Sequence, residues 1–324
     1  MILQELLEVK NISKSFGSTR AVDDISMSVR RGEILGFLGP NGAGKTTTIR
    51  MIMGINAPDS GTISFNYNRG GGIPRTMVGY LPEERGLYKE ARVMDILQFL
   101  AGLKEVDSKE AKKKARQWLE KFELEDYSQS KIEELSKGMA QKIQFIACVL
   151  HQPEMLVFDE PFSGLDPVSQ DIFKEEIRNL AEKGRAVMLS SHRMNLVEEI
   201  CDRIILIHQG QEVVSGSLDD IKARFGNFRL KINSSYPESL EGVLSGLSGI
   251  ESLGREGGSF LLTLKRGSKP LEIIHQLPED IPVEGLSAER ISLHDIFVRV
   301  ARGGGIDEND LENISLGDNA QSEK

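Results

Sequence analysis

Short apolar runs, each closed by glycine, proline or a polar residue, recur along the first 225 residues. They are 33–38 (Glu-Ile-Leu-Gly-Phe-Leu), 155–158 (Met-Leu-Val-Phe), 186–189 (Ala-Val-Met-Leu) and 204–207 (Ile-Ile-Leu-Ile). Runs of this length without polar alternation suit strands buried on both faces. Helical stretches separate them, so the pattern predicts an α/β unit with a parallel sheet covered on both sides. Ahead of the first run, Leu7, Val9 and Ile12 and then Ile25, Met27 and Val29 predict an antiparallel front portion across residues 6–30. Residues 93–127 read as one continuous helix. Its lysines at 109–114 alternate with Glu105, Glu110 and Glu120, the pattern of a solvated helix face rather than of a nucleic-acid patch.

The pattern changes near Phe225-Gly226. Phe228, Leu230 and Ile232 alternate as a strand, and Leu240 to Leu247 suits a helix. Two strands follow around Gly257-Gly258, then a helix over 270–277, a strand over 283–292 and a last helix at 293–302. The order βαββαβ predicts a small α+β domain of ferredoxin-like type. Residues 303–324 open on three glycines and hold six acids against one lysine, a composition expected to be disordered. The expected division is therefore 1–225, 226–302 and 303–324, and no repeat period marks a solenoid.

Composition adds limits. The chain has 324 residues, 39% of them hydrophobic and 27% charged, which is ordinary for a globular protein. Its formal charge of −9 argues against a broad basic surface for nucleic acid. Five of those charges belong to the tail after Arg302, so the folded part is nearly balanced. No apolar run approaches the ~20 residues of a membrane-spanning helix, and the N-terminus lacks the basic-then-apolar pattern of a signal peptide. These features predict a cytoplasmic protein. Cys148 and Cys201 read as buried apolar residues, with neither disulfide nor zinc spacing.

The chemistry sits on the ends of the apolar runs. Gly39-Pro40-Asn41-Gly42-Ala43-Gly44-Lys45-Thr46-Thr47 follows the run 33–38 and opens a helix through Ile49, Met51 and Ile52. This is the G-x-x-x-x-G-K-[ST] phosphate loop in its confirming strand–loop–helix context. Its glycines let successive backbone N–H groups face a phosphate, Lys45 brings a point charge to the β/γ-phosphates, and the Thr46 hydroxyl suits Mg²⁺. Asp159 ends the run 155–158, where parallel-sheet sites form, and can hold a Mg²⁺-bound water. Glu160, beside it, is placed to orient or deprotonate an attacking water. Ser136 and Gly138 read as the cap and open first turn of a helix running to Leu150.

Together these motifs resemble the nucleotide-binding subunit of an ATP-binding-cassette (ABC) transporter. Leu135-Ser136-Lys137-Gly138-Met139-Ala140-Gln141 stands where that family has its LSGGQ signature, with Lys137 and Met139 departing from it. Pro161-Phe162-Ser163-Gly164-Leu165-Asp166 is similar to the D-loop, His192 to the switch histidine, and Phe16 to the aromatic that stacks on adenine. Val78-Gly79-Tyr80-Leu81-Pro82 fits the Q-loop, yet Glu83 replaces the usual glutamine: a carboxylate can ligate Mg²⁺ but cannot donate an amide hydrogen bond. The run 81–88 and Ser292-Leu293-His294-Asp295-Ile296-Phe297 resemble a subgroup of sodium and drug exporters with a separate permease.

The resemblance implies a P-loop ATPase core with an antiparallel β subdomain and a helical subdomain at about 88–150. It implies ATP and Mg²⁺ as ligands, with Thr46, Glu83 and Asp159 toward the metal and Glu160, His192 and Lys45 at the reacting phosphate. It further implies a homodimer in which Ser136 and Gly138 close over the ATP of the second copy, with Asp166 of the D-loop among the nucleotide-binding residues. Integral-membrane permease subunits would dock on residues 81–100, at the inner face of the membrane, and no nucleic acid is expected. The rival reading is a soluble ABC ATPase serving a protein assembly such as iron–sulfur cluster biogenesis. A chromosome-type ABC ATPase fits poorly, because only about 90 residues separate Lys45 from Ser136.

Overall fold

The computed structural model describes residues 4–66, 75–84, 86–225, 228–234, 237–265, 267–278 and 283–303. Its contacts divide the described chain into one unit through Gly216 and a second from Ser217 onward. Most of the acidic tail at 303–324 lies outside the described residues.

The first unit opens on β1 (Glu5–Phe16) and β2 (Thr19–Arg30), which pair antiparallel as their alternation predicts. A third strand, β4 (Ser60–Phe65), joins the free edge of β1. Its sequence, Ser-Gly-Thr-Ile-Ser-Phe, has little apolar content and a largely exposed burial pattern, so periodicity alone does not reveal it. Between them come β3 (Ile34–Leu38), all five residues buried, and α1 (Lys45–Ile52).

The second sheet is built from β5 (Val78–Leu81), β6 (Met155–Asp159), β7 (Ala186–Ser191), β3, β8 (Arg203–His208) and β9 (Gln211–Ser217), in the spatial order β5-β6-β7-β3-β8-β9. The first five run parallel. Strands β6 and β7 are buried throughout, which is why they read as unbroken apolar runs. Helices α5 (Pro167–Glu182) and α6 (Met194–Ile200) make the crossovers. Register decides where the loops meet: Leu81 lies beside Phe158, Asp159 beside Ser190, and Leu38 beside Ser191. Four strands thus end level on one edge of the sheet, and the segments leaving them share a single rim.

The helical region is not one helix over 93–127. Helix α2 (Val93–Gly102) ends at a glycine, Glu105 adopts a left-handed backbone with φ 63°, and α3 (Ser108–Lys121) starts afresh. Asp107 caps α3, its side chain accepting from the N–H groups of Lys109 and Glu110 at 2.9 and 3.3 Å. A cap of this kind satisfies N–H groups that a continuing helix would have bonded internally. Asp107→Ala should cost about 1 kcal/mol of helix stability. Faster amide hydrogen exchange confined to the first turn of α3 would report it; unchanged exchange there would count against the cap.

Helix α4 (Lys137–Val149) carries the arm back to the core. Phe145 on α4 packs on Phe158 of β6 and Phe173 of α5 with ring centroids 5.4 and 4.7 Å apart, and Trp118 of α3 and Phe122, which caps its C-terminus, complete the aromatic cluster. Such pairs contribute beyond simple area burial. They fix the second half of α4 against the end of β6.

The second unit begins with α7 (Leu218–Phe225) and continues as β10 (Phe228–Ser234), α8 (Pro237–Gly246), β11 (Ile250–Glu256), β12 (Ser259–Leu264), α9 (Pro270–Ile274), β13 (Val283–Arg290) and α10 (Leu293–Gly303). The sheet order β11-β12-β10-β13, with every pair antiparallel, is that of the expected βαββαβ sandwich. Leu230, Ile232, Phe260, Leu262 and Leu264 form one face of the sheet against Leu240, Leu244 and Ile273. Ser292 and Asp295 hydrogen-bond reciprocally to start α10, and Arg229 on β10 pairs with Asp295 at 2.6 Å.

Candidate nucleotide site

The loop between β3 and α1 is shaped by close backbone approach. Gly44 has φ 105°, and a Cβ there would lie 2.4 Å from the Ala21 carbonyl oxygen; one on Gly39 would lie 2.4 Å from that of Ile207. No other residue fits either position without displacing backbone. The Pro40 carbonyl accepts from Ala43 N–H at 3.2 Å, closing the turn. Lys45, at the first position of α1, is buried, and its Nζ donates to the Gly39 and Pro40 carbonyls at 2.7 and 3.1 Å. Burial lowers its pKa, against the opposing charges of Glu160, Asp159 and Glu83.

The strand rim brings the acids to this lysine. Glu160 Oε1 stands 3.8 Å from Lys45 Nζ and 2.9 Å from His192 Nδ1, while Ser191 Oγ donates to Oε2 at 3.5 Å. The Glu160 backbone is left-handed, with φ 50°, an uncommon conformation for a residue with a Cβ. Asn41, Gly42, Gly44, Lys45, Thr46 and Thr47 line one cleft of about 280 Å³ together with Ala21, Glu83 and Glu160. Glu83, two residues beyond β5, has its pKa raised by partial burial and by the charges of Asp159 and Glu160.

Asp159 is 0% exposed. Burial raises its pKa, as does the charge of Glu160, against the hydrogen bond from Ser190. Its Oδ2 is buried without a hydrogen-bond partner, an arrangement that costs free energy unless something binds there. Among the described residues no three His, Cys, Asp or Glu side chains cluster tightly enough to cage a metal alone. A hard cation that keeps waters and takes phosphate oxygens, as Mg²⁺ does, fits a donor set of one hydroxyl and one or two carboxylates.

Other sequence candidates lie apart from this cleft. Ser136 caps α4, its Oγ accepting from Met139 N–H at 3.2 Å, with Gly138 in the first turn beside the Gly164 carbonyl. Asp166 caps α5 by accepting from Ser169 N–H at 2.9 Å. Phe16, at the end of β1, is 51% exposed, with Lys14 Nζ 5.8 Å from its ring centroid. None of these three residues or Gly138 lines the cleft. Sequence reasoning gave no role to Ser190 and Ser191, although two hydroxyls closing a buried strand were a visible signal.

A strand–loop–helix phosphate cradle with acids from β6, one strand removed from β3 in the same parallel sheet, defines a P-loop ATPase. Comparison with known proteins narrows this. Residues 22–163 match the family described as ABC transporter, and residues 216–301 match the "ATP-binding protein DrrA1-3-like, C-terminal domain". The chain is 40% identical over 297 residues to the uncharacterized ABC transporter ATP-binding protein YhaQ of Bacillus subtilis, covering 90% of this chain and 97% of that one. It is 38% identical over 224 residues to the linearmycin resistance ATP-binding protein LnrL of the same species, covering 68% and 72%. A solved ATP-binding subunit of an ABC transporter superposes with a TM-score of 0.63 at 35% identity, covering 68% of this chain and 93% of that chain. The chain belongs to the ATP-binding proteins of ABC transporters, which are ATPases.

Proposed function

We propose that this chain is the motor subunit of an exporter, hydrolysing ATP between two copies of itself to drive separate membrane permease subunits. The observation that carries the reading is the continuous line Lys45–Glu160–His192, with spacings of 3.8 and 2.9 Å, which runs from the phosphate-loop cleft to the end of β7. Lys45 and the N–H groups of the loop take the β- and γ-phosphates. Glu160 holds a water in line with the γ-phosphorus and accepts its proton as the new P–O bond forms and the β–γ bridge breaks, releasing ADP and phosphate. His192 fixes the Glu160 carboxylate and reaches toward the γ-phosphate. Thr46, Asp159 and Glu83 would hold Mg²⁺, which supplies charge neutralisation across the phosphates when bound.

Ser136, Gly138 and Asp166 stand outside the cleft, which supports their serving the ATP of a second copy. The helix start capped by Ser136 then presents free N–H groups to that phosphate. Closure on ATP is the mechanical output, because ATP favours the paired state. Export is supported by similarity to a linearmycin resistance protein and to a probable multidrug transporter subunit of Escherichia coli.

The docking surface proposed at residues 81–100 borders a groove of about 490 Å³, to which it contributes Leu81, Pro82, Leu87 and Leu100. Tyr88 and Phe99 stand exposed near it with their rings edge to face at 6.4 Å. Among the described residues no helix is long and apolar enough to cross a membrane, so this reading assigns the transport path to partners.

Light scattering tests the pairing. The full chain, as the slow-hydrolysing Glu160→Gln variant with ATP and Mg²⁺, should double in mass, and adding Ser136→Glu should return it to a monomer by setting a carboxylate against the γ-phosphate. A chain that stays monomeric at saturating ATP would overturn the homodimer.

A further inference from the structure

Ser190 lies opposite Asp159 in the β6–β7 register, fully buried near the end of a strand whose preceding residues, Ala186 to Leu189, are all apolar. Its hydroxyl donates to Asp159 Oδ1 at 2.5 Å and accepts from the N–H of Glu160 at 3.1 Å, and its carbonyl takes the same N–H at 3.3 Å. One side-chain oxygen therefore touches both acids assigned above. A buried hydroxyl is costly unless bonded, and this one is bonded in both directions.

The consequences are geometric. By occupying Oδ1, the hydroxyl sets the rotation of the Asp159 carboxylate and leaves Oδ2 as its unpartnered oxygen. By holding the Glu160 N–H, it steadies a residue in a left-handed conformation, from which the side chain reaches His192. Ser191, next along the strand, faces Glu160 Oε2 instead and does not bridge the pair.

We propose that Ser190 is the positioning residue of this ATPase, a single hydroxyl that orients the metal-side and water-side carboxylates together. The inference rests on the roles given to Asp159 and Glu160 in the preceding reading. A misplacement of the order of an ångström at reacting groups costs up to about 10²-fold in rate, so losing one orienting hydroxyl should cost about ten-fold in kcat. The KM for ATP should hardly move, because Lys45 and the loop are untouched.

The experiment compares Ser190→Ala, Ser190→Thr and Ser190→Val in the full chain. The alanine and valine variants should lose kcat by about ten-fold with KM unchanged, and the threonine variant should retain the natural kcat. Mn²⁺ binding in the presence of ADP, read by electron paramagnetic resonance, should weaken with alanine and valine but not with threonine. Threonine and valine match in volume, so their contrast isolates the hydroxyl even where alanine folds poorly. A threonine variant as slow as valine, or a valine variant as fast as the natural chain, overturns the proposal. Glu160→Gln measured alongside separates the failures. If Glu160→Gln hydrolyses normally, the underlying site assignment is wrong; if it is silent while Ser190→Val is normal, only the role of Ser190 falls.

Discussion

Glu160→Gln is expected to lower ATP hydrolysis by roughly 10²–10⁴-fold while leaving ATP binding intact, the range by which a positioned general base contributes. The amide keeps the volume of the carboxylate and one acceptor oxygen, so packing around β6 and β7 is preserved. What it loses is the capacity to take a proton from water, and with it the negative charge 3.8 Å from Lys45. His192 Nδ1, 2.9 Å from Oε1, retains a partner in the amide oxygen or nitrogen according to its tautomer, so the histidine should stay in place. The checking measurements are phosphate release under single-turnover conditions and equilibrium binding of a fluorescent ATP analogue. Hydrolysis at the natural rate would remove Glu160 from the chemistry, and loss of binding would make it a structural acid instead.

Lys45→Met should act one step earlier and abolish nucleotide binding. The methionine replaces the lysine stem at similar volume without its charge. Removing one partner of a buried charge-assisted contact typically costs about 2–5 kcal/mol, which corresponds to a loss of roughly 30- to several-thousand-fold in affinity. Stability without nucleotide should hardly fall, since burial already disfavours the Lys45 charge, as its lowered pKa records. The cost without nucleotide is the donor that the Gly39 and Pro40 carbonyls lose. Differential scanning calorimetry provides the test: ATP with Mg²⁺ should raise the Tm of the natural chain by mass action and leave that of Lys45→Met unmoved. A variant still stabilised by ATP would move the phosphate contact elsewhere on the loop. The two substitutions thus separate binding from chemistry on residues that touch each other.

The sequence by itself determined the elements that bury both faces and the loops that need particular residues. The runs at 155–158 and 186–189 read as interior strands, because nothing polar interrupts them and polar residues close them at strand length. Gly39 and Gly44 were legible as the phosphate-loop pattern, whereas the carbonyl oxygens of Ile207 and Ala21, 2.4 Å from where a Cβ would stand, are brought there by the fold. The βαββαβ order after residue 226 followed from alternation in the same way. Strand β4 and the break at Glu105–Asp107 were not legible. The first is a short, mostly exposed edge whose pairing comes from β1, and the second turns on a capping bond that competes evenly with continued helix.

Only the tertiary structure decided which residues meet. Lys45, Glu160 and His192 span 147 positions of chain, and the order β5-β6-β7-β3 is what sets their loops on one rim. The same register places Ser190 against Asp159, where its hydroxyl can serve two acids. Local pattern records what each segment buries. Strand order and register are set by long-range packing, and they alone turn four separate strand ends into one site.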